Sequence, residues 1–345
     1  MSDYECVVVG AGIMGSAAAY ELAKLGKRTV LIDKFPLPHS RGSSHGQSRQ
    51  FRYLYNNSAY IRLLHDALEG FKELERLSGE KLFVPTGAVM IGAASDDYIQ
   101  SHIRTMRNSG VKFDVLNTEQ MRKRYPDVFT EDGHIGICDP QGGMLMADKC
   151  LHVYRNLFVG HGGIIKDHCE VSNIVPKPKL KNSPSDQVQI YLDNGEAIVA
   201  SSVIICAGPW LKPLMQKCFQ IDLPIKIGLH SKGEVINPDE RDSSDNTWHR
   251  KRVLQFFSQH WTRMKPTIAV VEECIYSWSK DGDFIIDTVP SHSNICYAGG
   301  FSVIGKMLAN CALVQSSPYD IKPFNVNRFK KSENTSVAAN VVSKL

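Results

Sequence analysis

A chain of 345 residues that is 43% hydrophobic and 22% charged has the make-up of an ordinary globular protein, with length for two domains or for one large domain carrying an insertion. Its net charge of +4 comes without any basic run interleaved with aromatics, which argues against a nucleic-acid partner. No uninterrupted apolar stretch approaches the roughly 20 residues of a membrane helix, and Asp3 and Glu5 stand where a secretory signal would be basic.

Residues 5–9 read as a buried strand, residues 14–25 as a helix with small Ala17, Ala18 and Ala19 on its inner side, and residues 28–33 as a second strand. Together they make a βαβ unit of about 30 residues. A polar loop rich in His and Arg runs from Pro36 to Arg49; long ordered loops in compact domains tend to carry function. Ile61, Leu64, Leu68, Phe71 and Leu74 then fall on one face of an amphipathic helix. Residues 82–92 alternate as a strand around Gly87, and 96–108 and 118–125 predict helices, the second stopped by Pro126. Residues 134–146 carry glycine-rich strand signals, and 148–160 predict a helix. Strands are expected near 163–165, 187–192 and 196–200, and a buried one from Val203 ends in a glycine turn at Gly208. From 225 to 262 the pattern is polar and weak. Residues 268–279, 283–286 and 294–300 return to strand character, a helix is expected from about 303 to 313, and the tail after Phe329 predicts disorder. No internal repeat is present.

The first chemical signal is Val7-Val8-Val9-Gly10-Ala11-Gly12-Ile13-Met14-Gly15. Gly10 allows the tight turn, Gly12 lets the backbone approach a pyrophosphate, and Gly15 lets the helix pack on the strand. The helix N-terminus then offers amide donors and a positive dipole end to the phosphates. Asp33 ends the second strand, where an acid binds the ribose hydroxyls of an adenosine. An acid there repels a 2′-phosphate and disfavours NADP, while FAD and NAD are not separated by the motif. The nine cysteines are scattered and never spaced C-x-x-C, so they read as reduced core thiols, with neither a disulfide framework nor a metal site expected. Ser343-Lys344-Leu345 reads as a receptor-recognised peroxisomal address. That makes the peroxisome the expected compartment and its import receptor an expected partner, and such a compartment suits an oxidase because it tolerates hydrogen peroxide.

Three stretches together resemble the sarcosine oxidase family of flavoenzymes: Gly10 to Asp33, the loop Gly42-Ser43-Ser44-His45-Gly46-Gln47-Ser48-Arg49-Gln50-Phe51-Arg52, and Cys274-Ile275-Tyr276-Ser277-Trp278. The resemblance runs from about residue 5 to Phe329. It implies an α/β plus α+β architecture. An FAD-binding Rossmann-like (GR2-type) domain would comprise 1–82, 145–222 and 265–329, a mixed-sheet substrate domain 83–144 and 223–264, and a disordered tail 330–345. It also implies that Cys274 holds one FAD per chain by a thioether at the flavin 8α-methyl, and that Arg52 pairs with the substrate carboxylate, for which its planar fork is suited. His45 and Arg49 match residues near the flavin ring. Lys226 and His230 match the family's Lys-x-Gly-x-His strand, whose lysine lies by the flavin N5 and promotes oxygen reduction. Ser43, Val171 and Gly208 join Gly10, Gly12, Gly15 and Asp33 as cofactor contacts. Taken singly, Cys274 would read as a buried thiol, Arg52 as a surface arginine and Lys226 as a solvated strand lysine.

The implied function is an FAD-dependent oxidase, acting as a monomer on secondary amino acids such as sarcosine or L-pipecolate. Its products would be an imine or aldehyde and hydrogen peroxide. The chain also departs from the family twice. Strands that roof the flavin are missing between Pro224 and Lys226, and Gly300-Phe301-Ser302 passes straight to Val303-Ile304-Gly305-Lys306 without the family's Gly-His-Gly-Phe-Lys segment. The chain thus resembles a shortened form. Two alternatives stand beside the oxidase: a catalytically inactive FAD-binding form, and an NAD-dependent dehydrogenase that uses only the first motif. Cys274 and the Arg-rich loop argue against the second.

Overall fold

The computed structural model describes residues 3–178, 186–228, 237–243, 247–261, 263, 265–268, 270–271, 274–299, 305–313, 315 and 319–329. His230, residues 300–304 and the Ser343-Lys344-Leu345 ending lie outside the described residues. In chain order the first elements are β1 (Tyr4–Val9), α1 (Ile13–Lys24), β2 (Thr29–Ile32), β3 (Arg49–Phe51), α2 (Ser58–Ser78), β4 (Phe83–Val84), β5 (Ala88–Ala93), α3 (Asp97–Asn108), β6 (Asp114–Leu116), α4 (Thr118–Arg124), β7 (His134–Asp139) and β8 (Gly143–Leu145). They continue as α5 (Ala147–Gly160), β9 (Ile164–Lys166), β10 (Val171–Lys177), β11 (Gln187–Leu192), β12 (Ala197–Ile205), α6 (Leu211–Phe219), β13 (Ile225–Gly228), α7 (Thr247–His260), β14 (Tyr276–Ser279), β15 (Ile285–Val289), β16 (His292–Gly299) and α8 (Gly305–Ala312). The chain divides into two compact units, one of residues 1–45, 151–242 and 274–345, the other of residues 46–150 and 243–273.

The first unit is built on one sheet in the order β10-β11-β12-β1-β2-β9, with β16 also paired to β12 and β15 to β16. β1 lies between parallel neighbours, Val7 aligning with Val203 of β12 and Val30 of β2. Such a strand is covered on both faces, which is why Cys6 to Val9 form an unbroken apolar run that is almost fully buried. α1 covers one face through Ala17, Ala18 and Ala19, whose small size lets α8 approach: a β-carbon on Gly305 would lie 2.6 Å from that of Ala17. Strands expected separately near 196–200 and from Val203 are one strand, β12. The Ser201-Ser202 pair looks like a break, but the Ser202 hydroxyl is buried and donates to the Glu5 carbonyl at 3.2 Å. The start of β12 pairs with β11 and its end with β16.

The second unit holds two three-stranded sheets, β3-β8-β4 and β5-β7-β6, around a core that includes Phe51, Tyr53, Ile61, Leu68, Ile103 and Ile137. α2 buries Ile61, Leu68, Phe71 and Leu74 as its periodicity predicts. Its N-terminus is capped by the Asn57 side chain, which accepts from the Ala59 N–H at 3.0 Å, and its C-terminus by Gly79 at φ +73°. The strand expected over 82–92 is two, β4 and β5 in different sheets, because the chain turns at Gly87 with φ +72°. Two further expectations are corrected. Within 225–262, β13 and α7 form; α7 buries none of its residues, so it lacks the apolar stripe that announces a helix. Among the described residues of 268–279, strand is confined to Tyr276–Ser279.

Candidate functional site

The turn after β1 demands glycine twice. Gly10 sits at φ +100°, and a β-carbon there would strike the Cys206 carbonyl. One on Gly15 would overlap the Gly10 carbonyl. Gly12 is the N-cap of α1 and offers no side-chain acceptor. The cap comes instead from the long loop, where Ser44 Oγ accepts the Ile13 N–H at 3.1 Å. Ala11 is gripped from both sides: its N–H donates to Asp33 Oδ2 at 2.7 Å, while its carbonyl accepts from Ser16 Oγ at 3.0 Å and from Arg155 Nη2.

Asp33 is 7% exposed. Its Oδ1 accepts the Phe35 N–H at 2.9 Å and faces His39 Nε2 at 3.1 Å. Burial alone would raise its pKa, but the bonds from His39, Phe35 and Ala11 outweigh that and hold the carboxyl below the usual range. The Cys169 N–H donates to the Asp33 carbonyl at 2.9 Å, so the segment entering β10 at Val171 lies against the same residue. Arg155 comes from α5; burial lowers its pKa, against the opposing fields of Asp33 and Asp167.

These residues fit a dinucleotide. The turn is lined by backbone where β-carbons would intrude, and the first amides of α1 have no intrahelical acceptors. A carboxylate fixed by its hydrogen bonds stands at the end of β2, and the Arg155 cation lies beside the turn. A carboxylate has about four lone-pair sites, so Asp33 with three donors keeps room for a ribose hydroxyl.

The same loop reaches the predicted cysteine. Ser43 Oγ donates to the Ile275 carbonyl, and Cys274 Sγ lies 3.9 Å from His45 Nε2. Ile275 is fully buried in the core of the sheet and anchors the segment. β13 and β14 pair antiparallel just beyond it, Gly228 facing Tyr276 and Lys226 facing Trp278. Lys226 is exposed. Gly208 follows β12 at φ +52°, with open space where a β-carbon would point.

Arg49 and Arg52 belong to the second unit. Arg49 opens β3 opposite Leu145 and donates through Nη1 to the Ser48 carbonyl at 2.7 Å. Arg52 follows β3, its guanidinium 5.3 Å from the centre of the Tyr55 ring. Its flanking residues are fixed: Phe51 is in the core, and the Tyr53 N–H donates to Asp139 Oδ2 at 2.7 Å. Asp139 is 1% exposed, and its Oδ1 also accepts the N–H groups of Gln141 and Gly142.

The structure therefore brings Gly10, Gly12, Gly15, Asp33 and Ser44 to one turn, and Ser43, His45 and Cys274 to a neighbouring point. Four of the supporting residues, Ser44, His39, Arg155 and Asp139, were given no role from sequence. Arg155 carried a signal: with Leu151, Tyr154 and Phe158 it occupies the apolar stripe of α5, where a charge needs a reason. All nine cysteines are free thiols. Among the described residues no cluster of His, Cys, Asp or Glu is placed to hold a metal ion, and no helix is long and apolar enough to cross a membrane.

Comparison with known proteins agrees with this geometry. Residues 5–241 match the DAO family, FAD dependent oxidoreductase. Peroxisomal sarcosine oxidase of Homo sapiens is 28% identical, covering 94% of this chain and 96% of its own. The putative sarcosine oxidase of Caenorhabditis elegans is 29% identical over 96% and 99%. The human alignment runs over 385 positions yet takes in 94% of a 345-residue chain, so the shortening is internal. Among solved structures, NikD, an unusual amino acid oxidase essential for nikkomycin biosynthesis, superposes with TM-score 0.81 at 18% identity, covering 94% of this chain and 98% of its own. Glycine oxidase from Geobacillus kaustophilus gives TM-score 0.74 at 17% identity over 95% and 99%.

Proposed function

The chain belongs to the FAD-dependent oxidoreductase family, and from that premise we propose that it oxidises secondary amino acids of the sarcosine and L-pipecolate type, yielding an imine or aldehyde and hydrogen peroxide. The observation that carries the reading is the Cys274 thiol 3.9 Å from the His45 imidazole, in the unit that also holds the dinucleotide turn. A thiol beside a base is what a tethered flavin needs, since the thiolate is the reactive form. The sarcosine oxidase names of the relatives support the substrate class. Bound FAD would supply the two-electron acceptor that dioxygen reoxidises.

In this reading, Gly10, Gly12 and Gly15 at the N-terminus of α1 would hold the pyrophosphate of one FAD per chain. Asp33 would hold its ribose, and Ser43, Val171 and Gly208 would make further contacts. His45 Nε2 takes the proton from Cys274 Sγ. Arg52 offers a planar fork to the substrate carboxylate, with Arg49 near the ring. The Lys226 ammonium stabilises negative charge developing on oxygen, with His230 on the same stretch of chain. The protein works as a monomer. The peroxisomal names of the human and mouse relatives support that compartment, with an import receptor reading Ser343-Lys344-Leu345.

Purified protein precipitated in acid tests the tether. The expected result is a yellow pellet for the natural chain and a colourless pellet under a yellow supernatant for Cys274→Ala. A colourless natural pellet overturns Cys274 as the attachment point, and protein that carries no flavin at all overturns the reading as a whole.

A further inference from the structure

We propose that the short helical turn Pro238–Ser243 is a latch on the cofactor loop, and that Arg241 is a positioning residue for FAD. The inference rests on the reading that the glycine turn holds FAD. Between β2 and β3 the described chain has neither helix nor strand, so residues 34–48 need outside contacts to keep one conformation. Arg241 provides them. It is only 6% exposed, and Nη1 donates to the Ser40 carbonyl and to the Arg41 carbonyl at 3.2 Å. A buried guanidinium is costly unless hydrogen-bonded. Here its donors go to the two peptides immediately before Gly42-Ser43-Ser44, whose hydroxyls bond Ile275 beside Cys274 and cap α1 at Ile13.

Asp239 holds the other end. Its Oδ1 accepts from Lys34 Nζ at 3.1 Å and Trp210 Nε1 at 2.9 Å, and its carbonyl accepts from Arg41 Nη2 at 3.3 Å. The Trp210 ring meets Phe35 at 5.2 Å, Phe35 meets His39 at 5.2 Å, and His39 reaches Asp33. One path thus runs from the latch to the ribose acceptor, and another along the loop to the helix cap. The Lys34 and Asp239 side chains are 30% and 49% exposed, and a pair so accessible to solvent is screened and contributes modestly. The weight therefore falls on Arg241.

The test uses the full chain with Cys274→Ser, so that flavin binding is reversible. FAD is titrated into apoprotein by quenching of flavin fluorescence, and melting is followed with and without FAD. Arg241→Met is expected to weaken FAD binding by about tenfold and to shrink the gain in melting temperature that FAD confers. Arg241→Lys recovers part of both. Equal loss of melting temperature in the apo and FAD-bound forms, with unchanged FAD affinity, overturns the latch and leaves Arg241 a purely structural residue. If Arg241→Met does not fold, Arg241→Lys carries the test, because it keeps the charge and gives up the planar fork that reaches the Ser40 and Arg41 carbonyls: weaker FAD binding supports the latch, and unchanged binding overturns it. Failure of the Cys274→Ser parent to bind FAD overturns the FAD reading itself and the latch with it.

Discussion

Asp33→Asn is the perturbation whose consequences the structure fixes most closely. The side chain keeps its shape but exchanges one acceptor oxygen for a donor. If the remaining oxygen keeps the Ala11 N–H, the new amide faces the Phe35 N–H and leaves it unpaired. A buried donor left unsatisfied costs about 1–3 kcal/mol, and loss of charge weakens the surviving bond by about 1 kcal/mol more. The expected loss of stability is about 2–4 kcal/mol at pH 7. The folded carboxyl lies below its ordinary value of 3.8. Its contribution is therefore fully present above that value and disappears as pH falls through the folded pKa. The deficit of Asp33→Asn should be greatest near neutrality and shrink below about pH 4. Urea unfolding of apoprotein at pH 7 and in steps to pH 3 measures both. A deficit below about 0.5 kcal/mol at pH 7, or one that stays constant into acid, refutes the geometry.

Other changes follow from the same contacts. Gly15→Ala places a methyl on the Gly10 carbonyl, so the purified variant should lack the flavin band near 450 nm; full flavin content would show that the turn can relax. Asp139→Ala strands the N–H groups of Tyr53, Gln141 and Gly142, a loss on the order of 3 kcal/mol or more. Hydrogen exchange should show it as faster opening at residues 51–55 and 141–143, with the β1 and β12 amides unchanged. Lys226→Met should slow reoxidation of the substrate-reduced enzyme by oxygen, on the order of a hundredfold, while stopped-flow reduction by substrate keeps its rate. Equal reoxidation rates would remove Lys226 from the oxygen chemistry.

How much of this was legible in the sequence depends on how locally it is encoded. β1, α1 and β2 were, because an unbroken valine run, three alanines and spaced glycines mark them within one short stretch, even though their packing partners Val203, Gly305 and Cys206 lie far along the chain. The amphipathic face of α2 was legible for the same reason. Elements whose own residues carry no continuous pattern were not. β12 looked like two strands because the Ser201-Ser202 pair reads as a break, and the Ser202 hydroxyl finds its compensation at Glu5, far away in the chain. β10 and β6 gave no clear alternation, and α7 has no buried stripe. At the site, Gly10, Gly12, Gly15 and Asp33 announced themselves by spacing. Cys274, Arg52 and Lys226 carried meaning only through family resemblance. Ser44 and Arg241 act through backbone amides and carbonyls that no residue pattern reveals, and Arg155 showed only as a charge in the apolar stripe of α5.

In the proposed function, a flavin held at this turn accepts electrons from a secondary amino acid. Anaerobic addition of sarcosine or L-pipecolate to the purified holoprotein, followed by admission of air, tests it directly. The flavin absorbance is expected to bleach on adding one of these substrates and to return with air, releasing hydrogen peroxide in proportion to the substrate consumed. A flavin spectrum that stays unchanged with both substrates would contradict it.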